Sequence, residues 1–441
     1  MTKQRLAEVL IAQDVEASSW KGPACIIGGA LAHLTLGTLY CWGNFLSYAP
    51  QNLQFFDGKQ HPGAQPDAIY VMPFTIVAQA LAMPFGPKLI AKIGASNTLL
   101  LGSWIAALAV FLSSFQKNLG SFMLFYAAMF GTGAGLAYTA PMVAGWKWMP
   151  NSKGLVTGGI LTGFGAGGFI FSLIGMKHVN PLKTNQVNGA FPAAVYERFP
   201  SMLRKLALLY AVISLAGSLL VSEPKIAPVA VSQTKAPTPT LPGVDVREAL
   251  GTKQFWLLWF MIITCATAGL TTASVYKQFA ASSAALNGDE FQALVGGIGA
   301  LFNGLGRLFW GSVSDKIGFK TSFVLLALLQ AAGMLTYKLS SSSKVLFGVN
   351  TSLLFFTLAG NFALFPPAIQ RIFGPRAGAT IYGMIYSAFA TASVGGGILT
   401  KMLVKSLGWE LVFQTMAVMS VLATLLSTLL MPLANYSGSV V

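Results

Sequence analysis

Charge is scarce in this chain. Of its 441 residues only 9% are Asp, Glu, Lys or Arg, while 54% are hydrophobic and the mean hydropathy is +0.64. An ordinary soluble domain carries roughly a quarter charged residues. No soluble core hides this much apolar surface, so the bilayer is the solvent the composition calls for. Cysteine is rare too. Cys25, Cys41 and Cys265 are odd in number, far apart and set in apolar runs, which excludes a disulfide framework and a zinc spacing. The three histidines, His33, His61 and His178, have no cluster of Cys, Asp or Glu beside them. No metal site and no cofactor is implied.

Acidic residues number thirteen against 28 basic ones, a net charge of +15. The basic residues fall singly or in pairs between apolar runs. They read as loop charge facing water and lipid headgroups, not as a nucleic-acid surface. The acids all fall in expected loops or at helix ends. No carboxylate lies in mid-span, which argues against a cation exporter and removes the usual acidic proton relay. No nucleophile–base pair or metal cluster that would make an enzyme is present either.

What is there is a series of apolar segments. A helix needs about 20 apolar residues to cross a bilayer, and twelve candidates lie at 22–48, 69–91, 97–115, 120–145, 154–176, 204–222, 255–278, 291–313, 320–338, 345–369, 377–403 and 409–432. Between the sixth and seventh runs the polar, proline-rich stretch SEPKIAPVAVSQTKAPTPTLPGVDVREALGTKQ. Such a composition extends and folds poorly. Its end, DVREALGTK, has the makings of a short helix on the membrane surface. The chain therefore divides into a cytosolic segment 1–21, a six-helix bundle 22–222, a cytosolic linker 223–254, a second bundle 255–432 and a short tail 433–441. Six plus six helices about a central linker is the layout of a major facilitator transporter, an all-α membrane fold. The excess of Lys and Arg on one set of short loops is small. It leans toward both termini being cytosolic in an integral multi-pass protein, with the plasma membrane as the expected location and a monomer as the default. Glycines recur inside the spans, as in GGILTGFGAGG and VGGIGALFNGLG. Small residues let membrane helices approach closely and also let them bend or rock.

One residue breaks the apolar pattern. Arg307 lies past the middle of the eighth span, in NGLGRLFWGSVSDKIG. An arginine in hydrocarbon costs about 2.5–3.5 kcal/mol on insertion scales, and such residues face the bundle interior or a wet cavity. With no buried carboxylate available, its partner on one reading is an anion that comes and goes, since guanidinium suits a carboxylate bidentately. On the other reading it snorkels to the cytosolic surface beside Asp315.

The pattern N-G-x-G-R-x-x-x-G-x-x-S-D-x-x-G around Arg307 resembles the oxalate:formate antiporter family and the related monocarboxylate transporters. GTLYCWGNF (37–45), the stretch 131–168 from GTGAGLAYTAP to GFGAGG, EALGTKQFWLLW (248–259) and GNFALFPPAIQRIFGPRAGATIYGMIYSAFA (360–390) resemble the same families at other spans. The resemblance touches both halves. It implies that Arg307 binds a substrate carboxylate in a central cavity lined by Tyr40, Tyr138 and Tyr386, with Phe164 where the fifth span often carries an aromatic. For each aromatic, helix packing or an interfacial belt is the other reading. Asn303 lies one turn before Arg307, where it can orient the guanidinium or touch substrate. His33 lies two turns before Tyr40 on nearly the same face. It titrates near neutrality and can carry a coupled proton, or it packs as a hydrogen-bonded core residue. The motif GSVSDKIG resembles a cytosolic signature in which Asp315 latches one conformation. Its N-half counterpart, GPKLIAKIG (86–94), carries Lys88 and Lys92 and no acid.

Two departures bear on substrate. The antiporters carry a second cation in the eleventh span; here Phe389 stands at that position. The monocarboxylate transporters carry a lysine in the first span, and Asn44 stands nearest to it. One cation beside a phenyl ring suits a monocarboxylate better than oxalate. The reading is a carrier of small organic anions of the lactate, pyruvate or formate type, by proton symport or anion exchange. Its rivals are a carrier of bulkier substrates, such as amino acids or a carboxylated vitamin, and a non-transporting membrane sensor, for which the tail ANYSGSVV is short.

Overall fold

The structure, a computed structural model, describes residues 20–59, 66–184, 191–224, 243–286 and 288–430, apart from the side chains of residues 289, 290 and 293. The segment before residue 20, the body of the linker, the tail from 431 and His61 lie outside the described residues. Among the described residues there are helices and turns and no strand.

The first six spanning helices are α1 (Lys21–Tyr48), α2 (Asp67–Ile93), α3 (Ala95–Ser113), α4 (Leu119–Trp148), α5 (Lys153–Val179) and α6 (Ala193–Leu220). The second six begin with α7 (Lys253–Ala281) and α8 (Asp289–Ile317), followed by α9 (Phe319–Tyr337) and α10 (Lys344–Phe373). Helix α8 is 29 residues long. That is about 43 Å at 1.5 Å per residue, more than the ~30 Å hydrocarbon core. The remaining stretch, Gly378–Thr428, reverses at Gly408, where φ is 78° and ψ −179°. An L side chain rarely adopts that conformation. The turn there gives two helices, α11 (378–407) and α12 (409–428). Large apolar side chains such as Leu81, Leu219, Val349 and Leu425 stand exposed on the outside, as expected of a surface solvated by lipid. The described end of the linker forms a short helix, Val246–Leu250. The Asp245 side chain caps it by accepting from the Glu248 amide, and the Val244 amide donates to the Phe373 carbonyl.

Helix α5 is the hinge of the packing, because it touches α1 on one face and α8 on the other. Side chains as small as hydrogen make this approach possible. A Cβ on Gly37 of α1 would collide with the backbone of Phe164, and one on Gly158 of α5 would collide with the carbonyl of Arg307. Backbone-to-backbone contact of this kind is what small residues supply in membranes, where there is no hydrophobic force between helices. The seam fixes Phe164 between α1 and α8, which positions the site described next.

Candidate substrate site

Arg307 is fully buried, not snorkelling. Its Nε and Nη2 donate to Asn303 Oδ1 at 3.3 and 3.2 Å, and Asn303 Nδ2 in turn donates to the Phe355 carbonyl of α10 at 3.0 Å. The i, i+4 spacing puts both on one face of α8. The guanidinium carbon lies 4.7 Å from the ring centroid of Phe362 and 5.3 Å from that of Phe164. Cation–π contacts of this kind contribute roughly 2 kcal/mol when desolvated. They hold the charge without neutralising it. Nη1 has no hydrogen-bond partner among the described residues, and neither do the hydroxyls of Tyr138 and Tyr382.

The aromatic residues named from the sequence assemble around this group. Phe164 meets Tyr40 edge-on at 5.8 Å and Tyr138 at 5.5 Å. Tyr138 lies 5.6 Å from Tyr386, and Tyr386 lies 5.1 Å from Phe389. The charge of Arg307 reaches Tyr40, Tyr138, Tyr382 and Tyr386. Phe389 stacks on Phe362 at 4.5 Å, nearly parallel. Its link to Arg307 therefore passes through the Phe362 ring. Asn44, by contrast, is exposed and donates to Ser172.

Two members were not singled out from the sequence. Phe362 and Tyr382 both sit in quoted stretches, yet only the packing of distant helices puts the Phe362 ring on the guanidinium and the Tyr382 ring 6.4 Å from that of Tyr138. The one available signal was the i, i+4 spacing of Tyr382 and Tyr386, which puts both rings on one face of α11.

His33 lies behind Tyr138. Helix α4 breaks at Thr139, just before Pro141, which has no N–H to continue the helix. At this break the Tyr138 carbonyl lies 3.0 Å from His33 Nε2, while His33 Nδ1 lies 3.0 Å from the Gly29 carbonyl. The imidazole is fully buried and packs 5.3 Å from the Tyr138 ring and 6.1 Å from Phe164.

At one end of the bundle, Asp315 bridges the two halves. Its Oδ1 accepts from the Gly154 amide at 2.9 Å and its Oδ2 from the Leu155 amide at 2.7 Å, at the start of α5. Arg371 of α10 donates to Oδ1 at 2.7 Å. A carboxylate on the open amides of a helix N-terminus complements both their hydrogen bonds and the helix dipole.

The family model of the Major Facilitator Superfamily matches residues 275–437. The chain is 30% identical to an oxalate:formate antiporter of Oxalobacter formigenes, over 81% of this chain and 80% of that one. It is 28% identical to apicoplast pyruvate carrier 1 of Toxoplasma gondii, over 89% of this chain and 85% of that one. Among solved structures it resembles an Escherichia coli fucose:proton symporter, with a TM-score of 0.63 at 13% identity over 93% of this chain and all of that one. A proton:xylose symporter gives a TM-score of 0.64 at 14% identity, over 94% of this chain and 97% of that one.

Proposed function

The chain belongs to the major facilitator superfamily of membrane transporters, and from that footing we propose that it carries a small monocarboxylate across the membrane by alternating access. The observation that carries the reading is the buried guanidinium of Arg307, with one nitrogen unpaired, whose charge reaches a tyrosine cluster that includes Tyr138 and Tyr382. A carboxylate has two oxygens that accept hydrogen bonds. One can take Arg307, and the other a tyrosine hydroxyl. Asn303 fixes the direction of the fork. Phe164, Phe362 and Phe389 leave the far side of the site apolar. A second carboxylate would meet phenyl rings there and lose its hydration without a partner, so dicarboxylates such as oxalate are disfavoured. The names of the two relatives, a pyruvate carrier and an oxalate:formate antiporter, support a small organic anion as substrate, and that of the pyruvate carrier supports a monocarboxylate.

In this reading Asp315 latches one conformation, with its end of the bundle toward the cytosol and both termini on that side. The protein works as a monomer in the plasma membrane. Substrate bound between the halves weakens the closed contacts on one side, and the halves rock to expose the site on the other.

Counterflow uptake in proteoliposomes tests it, using labelled pyruvate, lactate, formate and oxalate with wild type and Arg307→Ala. The expected result is uptake of at least one monocarboxylate, little uptake of oxalate, and a loss of about 30-fold or more in the variant. Uptake that is indifferent to Arg307, or confined to oxalate, overturns the proposal.

A further inference from the structure

Among the described residues His33 faces two hydrogen-bond acceptors and no donor. Its Nδ1 and Nε2 each lie 3.0 Å from a carbonyl oxygen, that of Gly29 and that of Tyr138. A carbonyl can only accept. A neutral imidazole has one N–H, so it satisfies one of the two and presents a lone pair to the other. The imidazolium has two N–H groups and satisfies both. We infer that His33 is the coupling-proton site of this transporter, loaded as an imidazolium when the anion is bound at Arg307. The inference rests on the proposed anion site and adds the coupling ion to it.

The charged and titratable surroundings explain why the two should load together. Helix α4 contributes Tyr138 and α8 contributes Arg307, whose charge reaches the imidazole. Helix α5 contributes the Phe164 ring, which touches both His33 and the guanidinium. Beyond Tyr138 stand Tyr382 and Tyr386 of α11. On α1 itself Tyr40 packs against the same phenyl ring. Every described carboxylate lies at a helix end or in a loop. With the anion absent, a protonated His33 would stand beside a second cation in a water-poor interior, where like charges repel strongly. A carboxylate seated on Arg307 cancels that repulsion, and its own charge, together with the two carbonyls that face the ring nitrogens, offsets the cost of burying the imidazolium. By linkage, protonation of His33 must strengthen anion binding by the same factor. The loaded carrier holds a proton and an anion together and moves no net charge beyond the fixed Arg307. The proton comes from the aqueous phase on one side and returns to it on the other.

The Tyr138 carbonyl also connects this proton to the substrate site. It lies at the break in α4, so the hydrogen bond from His33 Nε2 holds the segment that carries the Tyr138 ring. Losing that bond frees the ring to move as the anion leaves.

The test is a proton count. Pyruvate binding to purified wild type is followed by titration calorimetry in buffers of differing ionisation enthalpy, and pyruvate-driven proton entry into proteoliposomes by a trapped pH dye. About one proton taken up per anion is expected, with affinity rising about 5-fold or more on acidification. His33→Gln should lose both proton uptake and accumulation driven by a pH gradient, while pyruvate counterflow, which needs no net proton movement, persists at an affinity lowered by the lost linkage and no longer rising on acidification. Proton uptake that persists in His33→Gln overturns the inference, as does its absence in wild type. No pyruvate counterflow in wild type would instead count against the anion site itself. Should His33→Gln fail to fold, the double variant His61→Gln, His178→Gln leaves His33 as the sole histidine. Nitrogen-15 spectra of its labelled ring must then show both nitrogens protonated when pyruvate is added, and a neutral ring in the presence of pyruvate refutes the assignment.

Discussion

The two halves end their second and eighth helices alike and fasten them differently. Helix α2 closes on Gly94 (φ 81°, ψ 164°) and α8 on Gly318 (φ 82°, ψ 163°). Three residues before each glycine stand Ala91 and Asp315. In the C-terminal half the acid reaches across to two amides at the start of α5, which ties one half to the other, and it also holds Arg371 of its own half. In the N-terminal half that acid is missing. Glu223, at the end of α6, takes Lys147 of α4 and the Ala95 amide of α3 instead. The first arrangement crosses between the halves, whereas the second stays within one. Repeats of similar shape thus share a turn geometry without sharing a role. The ion pair of the acid that crosses is also the more buried, with Asp315 and Arg371 11% and 22% exposed against 24% and 49% for Glu223 and Lys147. Desolvation makes such a pair count, and exposed pairs contribute about 0–1 kcal/mol.

The sharpest way to break the comparison is to open the seam the latch fastens. Gly158→Leu should drive α5 from α8 at the Arg307 carbonyl. Transport should then fall below about 1% of wild type, and the thermal midpoint by several degrees, read by counterflow and by thermal unfolding in detergent. Next comes the latch itself. Asp315→Asn removes a charge held by Arg371 and two helix amides, worth about 1.5–3 kcal/mol. The rate of thiol labelling at a Ser314→Cys reporter, beside the latch, should rise about tenfold or more when Asp315→Asn is added. Glu223→Gln is the matching change in the other half. It should alter counterflow by less than about twofold and leave labelling at 314 as in the reporter alone. The smallest effect sharpens the comparison by building what is missing. Ala91→Asp places an acid where the N-terminal half has none, and should slow labelling at the same reporter by about two- to threefold if it finds a partner across the halves. An unchanged rate would mean that the α2 end lacks a suitable donor as well as an acid.

The fold was open to reading because its causes are local and repeated. Apolar runs of spanning length, separated by charge, proline and glycine, become helices close to the expected limits among the described residues, except that the sixth begins at Ala193, well ahead of the expected 204. The eighth runs from Asp289 to Ile317, longer at both ends than its apolar stretch of 291–313. Its polar ends continue the helix past the hydrocarbon layer. The site was legible in part. A lone arginine in mid-span announces itself, because burying it is costly wherever it goes. Asn303 and Tyr386 follow from helical spacing and family pattern. What did not show was the company Arg307 keeps. Phe362 is one phenylalanine among 31, and nothing in its own span distinguishes it from a lipid-facing neighbour. Phe389 stands at the position of a missing cation, yet it reaches the guanidinium only through Phe362.

Composition and periodicity act along the chain, and they were enough to set the solvent, the run of spanning helices and the placing of Arg307 inside one of them. What that charge touches, the two carbonyls that face His33 and the seating of Asp315 on α5 came from packing. Those facts arise where helices distant in sequence meet. In a membrane such meetings are set by close packing of small residues and by the pairing of buried polar groups, and neither leaves a period for a linear pattern to reveal.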